Sequence, residues 1–251
     1  MLTQFKRKLR QMIGRRLHWN WRLSSGACPD LSILSDWHMF CDIFVDREYE
    51  PAFGPFFGDI STQSTAYILD LGANAGMFTL FLTHEHARRQ CGGRLEIDCV
   101  EADPETVRRL TQNLARLDPN LATARIWSGL AGKRSGTATL QRHSSDHSSS
   151  VMTASGHRGG VRTGYLDLEK LVGARTRIDL LKVDIEGSEF DLVAAYPSLF
   201  ARTRHLVIEL HREFGDADHL RSQLAADFGS ELLLKQTDQV LVVHFWRTGG
   251  P

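Results

Sequence analysis

The feature that most constrains the fold is a short apolar strand, which is followed by a glycine-containing loop and an apolar helix. Residues 66–71 predict a buried strand, and residues 75–88 predict the helix that follows. Gly72 and Gly76 lie where a tight turn and the close packing of a helix start favour a residue without a Cβ atom. Such a unit predicts the first half of a parallel βαβ motif, with its loop at the carboxyl edge of the sheet.

The alternation of strand and helix continues toward the C-terminus. Further strands are predicted at residues 95–101, 122–127, 178–183 and 205–210, and helices at residues 103–116, 188–196 and 216–228. Residues 232–235 and 240–245 flank a short turn and predict a closing antiparallel hairpin. We therefore predict an α/β fold, in which a seven-stranded, mostly parallel sheet with one antiparallel strand carries helices on both faces.

Residues 128–164 interrupt this alternation. Residues 137–140 predict one small extra strand, whereas the Ser-rich stretch at 143–150 and the Gly-rich stretch after it predict a long loop with little structure. Loops of this length are usually either functional or disordered.

Basic side chains are concentrated at the N-terminus. The chain has 30 basic and 30 acidic side chains, but residues 1–29 hold seven basic and no acidic ones. Apolar residues recur at helical spacing between residues 2 and 17, which predicts a short basic amphipathic helix. This helix either packs on the domain or lies on an anionic membrane surface as a peripheral contact. We assign residues 1–60 to a basic N-terminal helical cap and residues 61–251 to the main domain.

Composition excludes several classes of protein. The acidic excess after residue 29 argues against a broad nucleic-acid partner surface. No apolar run approaches the roughly 20 residues needed to cross a bilayer, and the first residues lack the apolar core of a secretory signal. The four cysteines have no metal-ligand spacing, which predicts reduced thiols in a cytoplasmic protein.

The loop after the first predicted strand has the pattern Asp70-x-Gly72-x-Asn74-x-Gly76. The N–H groups at the start of the following helix favour an anionic ligand group. Asp70 would repel a pyrophosphate but suits the cationic amino group of a methionine moiety, and the spacing differs from the GxGxxG pattern of dinucleotide binders. Glu101, at the end of the second strand, can take both hydroxyls of an adenosine ribose. These features together predict S-adenosyl-L-methionine as the cofactor.

Two further residues complete the predicted cofactor contacts. Asp103 is expected to cap the helix that begins at Pro104, and it is also a candidate for a contact with the adenosine. Ser128 follows the third predicted strand directly.

A second group of charged residues lies at the end of the strand predicted at residues 178–183. Buried charges cost free energy unless they are paired or bind a ligand, so Asp184 and Glu186 are expected beside the transferred methyl group. Asp179 and Glu189 are interpreted as ordinary helix-end or surface charges. Lys182 is interpreted as the ion-pair partner of a neighbouring acid.

Three segments resemble the FkbM family of methyltransferases: residues 67–78, residues 100–104 and residues 179–189. The most distinctive part is Leu-Leu-Lys-Val-Asp-Ile-Glu-Gly at residues 180–187, and shorter similarities lie at residues 43–49, 148–151 and 207–211. The resemblance covers about residues 40–211. It implies a Rossmann-like class I methyltransferase fold and methyl transfer to oxygen, often to a sugar or polyketide hydroxyl, but it does not identify the acceptor.

An alcohol oxygen is a poor nucleophile while it is protonated, so a general base or a metal must assist. Asp184, Glu186 and His211 are the predicted catalytic residues. A cation held by Asp184 and Glu209 is an alternative that the spacing does not indicate, and we predict no metal. The predicted substrate contacts are Glu209, at the next strand end, Tyr49, ahead of the first strand, and Ser149, in the long loop. Simple packing within the N-terminal cap is the alternative for Tyr49.

The sequence therefore predicts an O-methyltransferase that acts on a glycan, a glycolipid or another hydroxylated metabolite. An N-methyltransferase of a small molecule or protein remains an alternative, as does a catalytically silent cofactor-binding module that regulates a partner. The oligomeric state is left open.

Overall fold

A seven-stranded sheet organises the part of the chain that this computed structural model describes, which is residues 22–23, 25–26, 29–31, 34–60, 64–142, 149–152 and 160–248. The strands in these ranges are β1 Thr65–Leu71, β2 Arg94–Glu101, β3 Ala122–Ser128, β4 Thr137–Arg142, β5 Ser149–Met152, β6 Val161–Gly164, β7 Ile178–Val183, β8 Thr203–His211, β9 Gly229–Gln236 and β10 Val240–Arg247. The large sheet has the order β3-β2-β1-β7-β8-β10-β9.

The sheet has the predicted mixture of strand directions. The pairs β1–β2, β1–β7, β2–β3 and β7–β8 are parallel, whereas β10 runs antiparallel to both β8 and β9. The predicted single antiparallel strand in a C-terminal hairpin is therefore confirmed. The register places Asp70 opposite Lys182 and Glu101 opposite Ser128, so the candidate site residues of neighbouring strands share one edge of the sheet.

Eight α-helices lie in the described ranges. They are α1 Leu34–Phe40, α2 Glu50–Asp59, α3 Met77–Arg88, α4 Pro104–Leu114, α5 Leu168–Val172, α6 Glu189–Ala195, α7 Pro197–Ala201 and α8 Ala217–Phe228, and a π-helical turn, Cys41–Val45, follows α1. Asp103 caps α4 by accepting a hydrogen bond from the N–H of Glu105 at 3.1 Å, as its position before Pro104 predicts. The short helices α5 and α7 were not predicted, because five residues carry too little periodicity.

Helices cover both faces of the sheet, as predicted, and each face has its own apolar core. Ile68 of β1 belongs to the core shared with α2 and α3, whereas Leu69 and Leu71 belong to the core shared with α6 and α8. Successive side chains of a strand point to opposite faces, so a strand covered on both sides is apolar at nearly every position. This burial explains why the first strand is the clearest element in the sequence.

Ion pairs attach the N-terminal helices to the rest of the chain. The Nη1 of Arg109 donates to both carboxylate oxygens of Asp36 at 2.5 and 2.6 Å, and both side chains are buried. Arg47 donates to the buried Glu85 of α3 at 2.8 Å. The domain boundary at residue 60 stays a prediction, and the basic leader at residues 1–21 lies outside the described residues.

Neither a membrane-spanning helix nor a disulfide occurs in the described part of the chain. No helix there is both long and apolar enough to cross a membrane. Cys41, Cys91 and Cys99 are free thiols, whereas Cys28 lies outside the described residues.

The region that interrupts the alternation contains more structure than predicted. The small strand expected at residues 137–140 is confirmed as β4, but β5 and β6 pair with it on either side in an antiparallel sheet. The expectation of little further structure was wrong, because strand formation depends on cross-strand partners more than on intrinsic preference. Residues 143–148 and 153–159 lie outside the described residues.

Two buried histidines connect β8, β10 and the end of α2. The Nδ1 of His205 lies 3.1 Å from the Nε2 of His244, and its Nε2 lies 3.1 Å from a carboxylate oxygen of Asp59. Neither histidine has exposed surface. Burial lowers the pKa of His205 to about 4, against the opposing effect of Asp59, and lowers the pKa of His244 to about 3. Both rings are therefore neutral at neutral pH.

Acid should destabilise the protein through this pair. Above about pH 6.5 neither the folded nor the unfolded state protonates the rings, so their full contribution to stability is present. As the pH falls from there toward 4, the unfolded chain binds protons that the folded protein excludes. Each histidine then lowers the free energy of unfolding by about 2 kcal/mol at pH 5.

Denaturant unfolding at pH 7 and pH 5 measures this effect in the wild type and in His244→Phe. The phenylalanine retains an aromatic ring next to Trp246, whose ring centroid lies 4.9 Å from that of His244, but it binds no proton. The loss of stability between the two pH values should be about 2 kcal/mol smaller in the variant. Equal losses of stability in the two proteins would contradict the conclusion that burial keeps His244 neutral in the folded protein.

Candidate active site

The loop between β1 and α3 packs directly on the end of β7. Gly72 has a φ of 74°, and a Cβ atom there would stand 1.6 Å from the carbonyl oxygen of Asp184. Gly76, the N-cap of α3, has a φ of 85°, and a Cβ atom there would stand 2.8 Å from Leu110 of α4. The close packing predicted for Gly76 is therefore present, whereas Gly72 permits contact with the end of β7.

Glu101 joins this loop to the loop after β2. Its Oε2 accepts a hydrogen bond from the N–H of Asn74 at 2.9 Å, and its Oε1 accepts from the N–H groups of Ala102 and Asp103 at 2.8 and 2.9 Å. Burial raises the pKa of Glu101, and these three N–H groups partly offset that rise. A carboxylate has about four lone-pair sites, so one acceptor position remains.

An open cleft of about 620 Å³ lies over these loops. Glu101 and Thr106 supply polar groups from the β2 side, and Asp184 and Glu186 supply carboxylates from the end of β7. The remaining lining residues are Gly72, Asn74, Val100, Ala102, Gly129, Leu130, Ala131, Leu140 and Ile185. This mixed lining of polar groups and apolar side chains suits a small-molecule site. Gly72, Asn74 and Glu101 of the predicted cofactor contacts are thus at its surface.

The other four predicted cofactor residues are not among the residues that line the cleft. Asp70 has no exposed surface, and its Oδ2 accepts a hydrogen bond from Thr79 at 2.8 Å. The side chain of Asp103 caps α4, Gly76 packs on α4, and Ser128 is exposed at the end of β3. Direct cofactor contacts by these four residues stay predictions.

Lys182 lies between the cofactor loop and the carboxylates of the cleft. Its Nζ donates to the carbonyl oxygen of Gly72 at 2.8 Å and lies 3.4 Å from Asp184 and 3.6 Å from Asp70. The predicted ion pair with a neighbouring acid is confirmed. Burial lowers the pKa of Lys182, but Asp184 and Asp70 together outweigh burial and raise it. The side chain is therefore an ammonium ion inside the domain.

His211 connects the carboxylates at the ends of β7 and β8. Its Nε2 lies 3.3 Å from Glu186 and 3.8 Å from Glu209, and its Nδ1 lies 3.0 Å from Glu189. Burial lowers the pKa of His211, but the hydrogen bonds to Glu186 and Glu189 outweigh it and raise the pKa to about 11. Burial, with the nearby Asp184, raises the pKa of Glu209 to about 8. His211 is thus a cation at neutral pH, surrounded by acids.

Glu189 is the first residue of α6, so it is the helix-end charge that the sequence allowed, but it is not a surface charge. Its side chain has no exposed surface, and it accepts hydrogen bonds from the N–H of Gly187 at 3.0 and 3.1 Å and from the N–H of Ile185 at 3.2 Å. A left-handed turn after β7 leaves these donors without strand partners, so a carboxylate at the start of α6 receives them. The Glu-Gly-x-Glu spacing was the available signal.

Asp179 was also misjudged as an ordinary charge. Its Oδ2 accepts a hydrogen bond from the N–H of Tyr67 at 2.8 Å, and its Oδ1 pairs with Arg177 at 2.7 Å. It braces the start of β1 against β7, far from the cleft lining.

Tyr49 and Ser149 were predicted as substrate contacts, and Tyr49 is not among the residues that line the cleft. Tyr49 is buried, and its ring meets Phe78 edge-on at 5.1 Å, as expected for packing of the cap. Burial raises the pKa of Tyr49 well above its usual value, and Asp184 adds to this rise. Ser149 lies in β5, opposite Arg142 of β4. Substrate contacts by Tyr49 and Ser149 stay predictions.

Asp184, Glu186 and His211 each offer an atom that could bind a metal ion, and these atoms lie within 4.8 Å of one another. The same groups also satisfy one another: Lys182 bonds to Asp184, and His211 pairs with Glu186. The group therefore holds together as a hydrogen-bonded array without requiring an ion.

The strand order, the glycine loop after β1 and the carboxylate at the end of β2 define a Rossmann-like class of nucleoside-binding enzyme. Residues 70–232, more than half of the chain, match the model of the methyltransferase FkbM domain. The chain belongs to this family, and it is a methyltransferase that uses S-adenosyl-L-methionine.

Individual relatives are distant. The chain is 25% identical over 245 residues to the AMB antimetabolite synthetase AmbE of Pseudomonas aeruginosa, a match that covers 79% of this chain and only 11% of the synthetase. A crystal structure of methyltransferase FkbM from Methylobacillus flagellatus KT is 14% identical, with a TM-score of 0.47, and the match covers 97% of this chain and 60% of that one. Fibrillarin of Aeropyrum pernix with natively bound S-adenosyl-L-methionine is 13% identical, with a TM-score of 0.41 and coverages of 74% and 68%.

Proposed function

We propose that this methyltransferase transfers its methyl group to a hydroxyl oxygen of a glycan, a glycolipid or another hydroxylated metabolite. The observation that carries the proposal is the set of three carboxylates, Asp184, Glu186 and Glu209, at the ends of β7 and β8. A hydroxyl becomes a good nucleophile only as its proton leaves, so an acid-rich acceptor side supplies the required bases. The similarity to an antimetabolite synthetase adds support for a small metabolite as acceptor.

The cleft fits S-adenosyl-L-methionine in its chemistry. The unused acceptor position of Glu101 would take a ribose hydroxyl, and Leu130, Ala131 and Leu140 offer apolar surface for the adenine. When bound, the cofactor supplies a methyl group already activated on a sulfonium. Asp70 has no exposed surface, so it would influence the amino group only at a distance.

The cleft carboxylates would receive the acceptor proton. Lys182 holds Asp184, and His211 holds Glu186, each within 3.4 Å, so both are oriented before an acceptor binds. One of these carboxylates would accept the hydroxyl proton of a bound acceptor and release it to solvent through the open cleft. His211 acts here as an orienting cation, because Glu186 and Glu189 engage both ring nitrogens. Glu209, with its pKa near neutrality, can donate or accept a hydrogen bond to the acceptor.

Transfer of labelled methyl tests this proposal. The protein is incubated with methyl-labelled S-adenosyl-L-methionine and panels of polysaccharides, glycolipids, hydroxylated metabolites, amines and proteins. We expect label in an alkali-stable O-methyl ether, with Asp184→Asn and Glu186→Gln each lowering the rate by about 10²-fold, because each removes a base or its orientation. Calorimetry should show unchanged cofactor affinity in both variants, and the exposed Glu213→Gln serves as the matched control.

The outcomes separate the competing functions. Label on nitrogen would establish the N-methyltransferase alternative, and tight cofactor binding without any transfer would establish the silent module. Full activity in both carboxylate variants would refute the assigned bases. Loss of transfer on chelation, restored by a divalent ion, would show that the carboxylates act through a metal.

A further inference from the structure

Glu189 contacts two features next to the cleft carboxylates. These are the turn at residues 185–187, which carries Glu186, and the ring of His211. We infer that Glu189 is a positioning residue for methyl transfer, which fixes both His211 and the turn at residues 185–187 and so aims the Glu186 carboxylate at the acceptor. This inference rests on the proposed function of Glu186, and it adds a residue that does not line the cleft.

The turn that carries Glu186 is conformationally unfavourable by itself. Glu186 has a φ of 51°, in the left-handed region, and Gly187 follows with a φ of 103°. A residue with a Cβ atom is strained in this conformation, because the Cβ atom comes too close to the following carbonyl oxygen. Glu189 holds the turn from both sides, because its carboxylate accepts from the N–H groups of Ile185 and Gly187. Glu186 is therefore kept in a conformation that it would otherwise leave.

The imidazole of His211 also connects Glu189 to Glu186. Its Nδ1 lies 3.0 Å from Glu189, and its Nε2 lies 3.3 Å from Glu186. Fixing one ring nitrogen determines the direction of the other, which is how buried carboxylates orient catalytic and metal-binding histidines. Glu189 thus acts on Glu186 twice, through the backbone of the turn and through the ring.

The ring of Phe214 packs against Gly187 of this turn. A Cβ atom on Gly187 would stand 2.6 Å from the Phe214 ring, and that ring lies 6.3 Å from the ring of His211. A buried carboxylate costs free energy unless it is paired. Here two backbone N–H groups and one imidazolium satisfy it, so an amide of the same shape could not replace it without loss of orientation.

The test compares Glu189→Gln with Asp191→Asn, which removes a carboxylate from an exposed position of the same helix turn. The ring nitrogens of His211 are observed by ¹⁵N NMR at about pH 7.5, and amide exchange is followed at Gly187. In the wild type both ring nitrogens should appear protonated. Glu189→Gln should move at least one toward the unprotonated shift and accelerate Gly187 exchange at least ~10-fold, because hydrogen bonds to a charged acceptor are lost.

A change in exchange without a change in the His211 signals would reduce Glu189 to a brace for the turn and overturn the inference. So would equal effects in the two variants. If Glu189→Gln does not fold, Glu189→Asp carries the same comparison, since its carboxylate recedes from His211 by one methylene. No acceptor is needed, so failure of the labelled-methyl experiment leaves these results interpretable on their own.

Discussion

Gly72→Ala should lower the free energy of unfolding by about 4 kcal/mol or more and abolish binding of S-adenosyl-L-methionine. The new Cβ atom would stand 1.6 Å from the carbonyl oxygen and 2.7 Å from the carbonyl carbon of Asp184. Both are backbone atoms at the end of a central strand, so no side-chain movement relieves the clash. The positive φ of residue 72 adds strain of its own. Urea unfolding and calorimetry with the cofactor measure the two losses.

The control variant Gly229→Ala separates the steric clash with Asp184 from the strain of a positive φ. Gly229 has a φ of 84°, but a Cβ atom there would meet nothing within 4 Å. This variant should therefore lose only the backbone strain of about 1–2 kcal/mol and bind the cofactor normally. If both alanine variants lost the same stability, contact with Asp184 would not be the reason for glycine at position 72.

Lys182→Met should lower the free energy of unfolding by about 3–5 kcal/mol, because it leaves Asp70 buried without its cation. Asp70 has no exposed surface, and one of its oxygens has no hydrogen-bond partner among the described residues. Thermal and urea unfolding measure the loss.

The matched control for this prediction is the double variant Asp70→Asn with Lys182→Met. It removes both charges of the buried pair, so it should recover most of the lost stability, although the hydrogen bond from Lys182 to the Gly72 carbonyl stays absent. No recovery would show that Lys182 stabilises the fold through contacts other than Asp70.

Local rules explain which parts of the fold were predictable. The buried run of β1, the Asp103 cap before Pro104 and the terminal hairpin each depend on residues within a few positions of one another. The pairing of β5 and β6 with β4 depends on contacts between strands that no local pattern describes. The missed helices are short, and a packed neighbour determines them more than their own sequence does.

The residues of the candidate site also fall into those that the sequence could locate and those that it could not. Glu101 and the glycine loop could be located because strand ends of a parallel sheet meet at one edge. The contact between Glu189 and His211 could not be predicted, because the two residues lie 22 positions apart and only the folded chain shows the distance between them. Asp98 illustrates the same limit: its buried carboxylate is held by Arg125, Trp127 and the hydroxyl of Tyr67, which come from neighbouring strands.

The three hydrogen bonds to Glu101 have a consequence for the thermodynamics of ligand binding. A free glutamate side chain loses about 1.5–2 kcal/mol of rotamer entropy when it is immobilised. In this protein the N–H groups of Asn74, Ala102 and Asp103 already hold the carboxylate, so that entropy is lost during folding. A ribose that reaches the remaining lone pair therefore meets a preorganised acceptor, and its binding carries no ordering cost for this side chain.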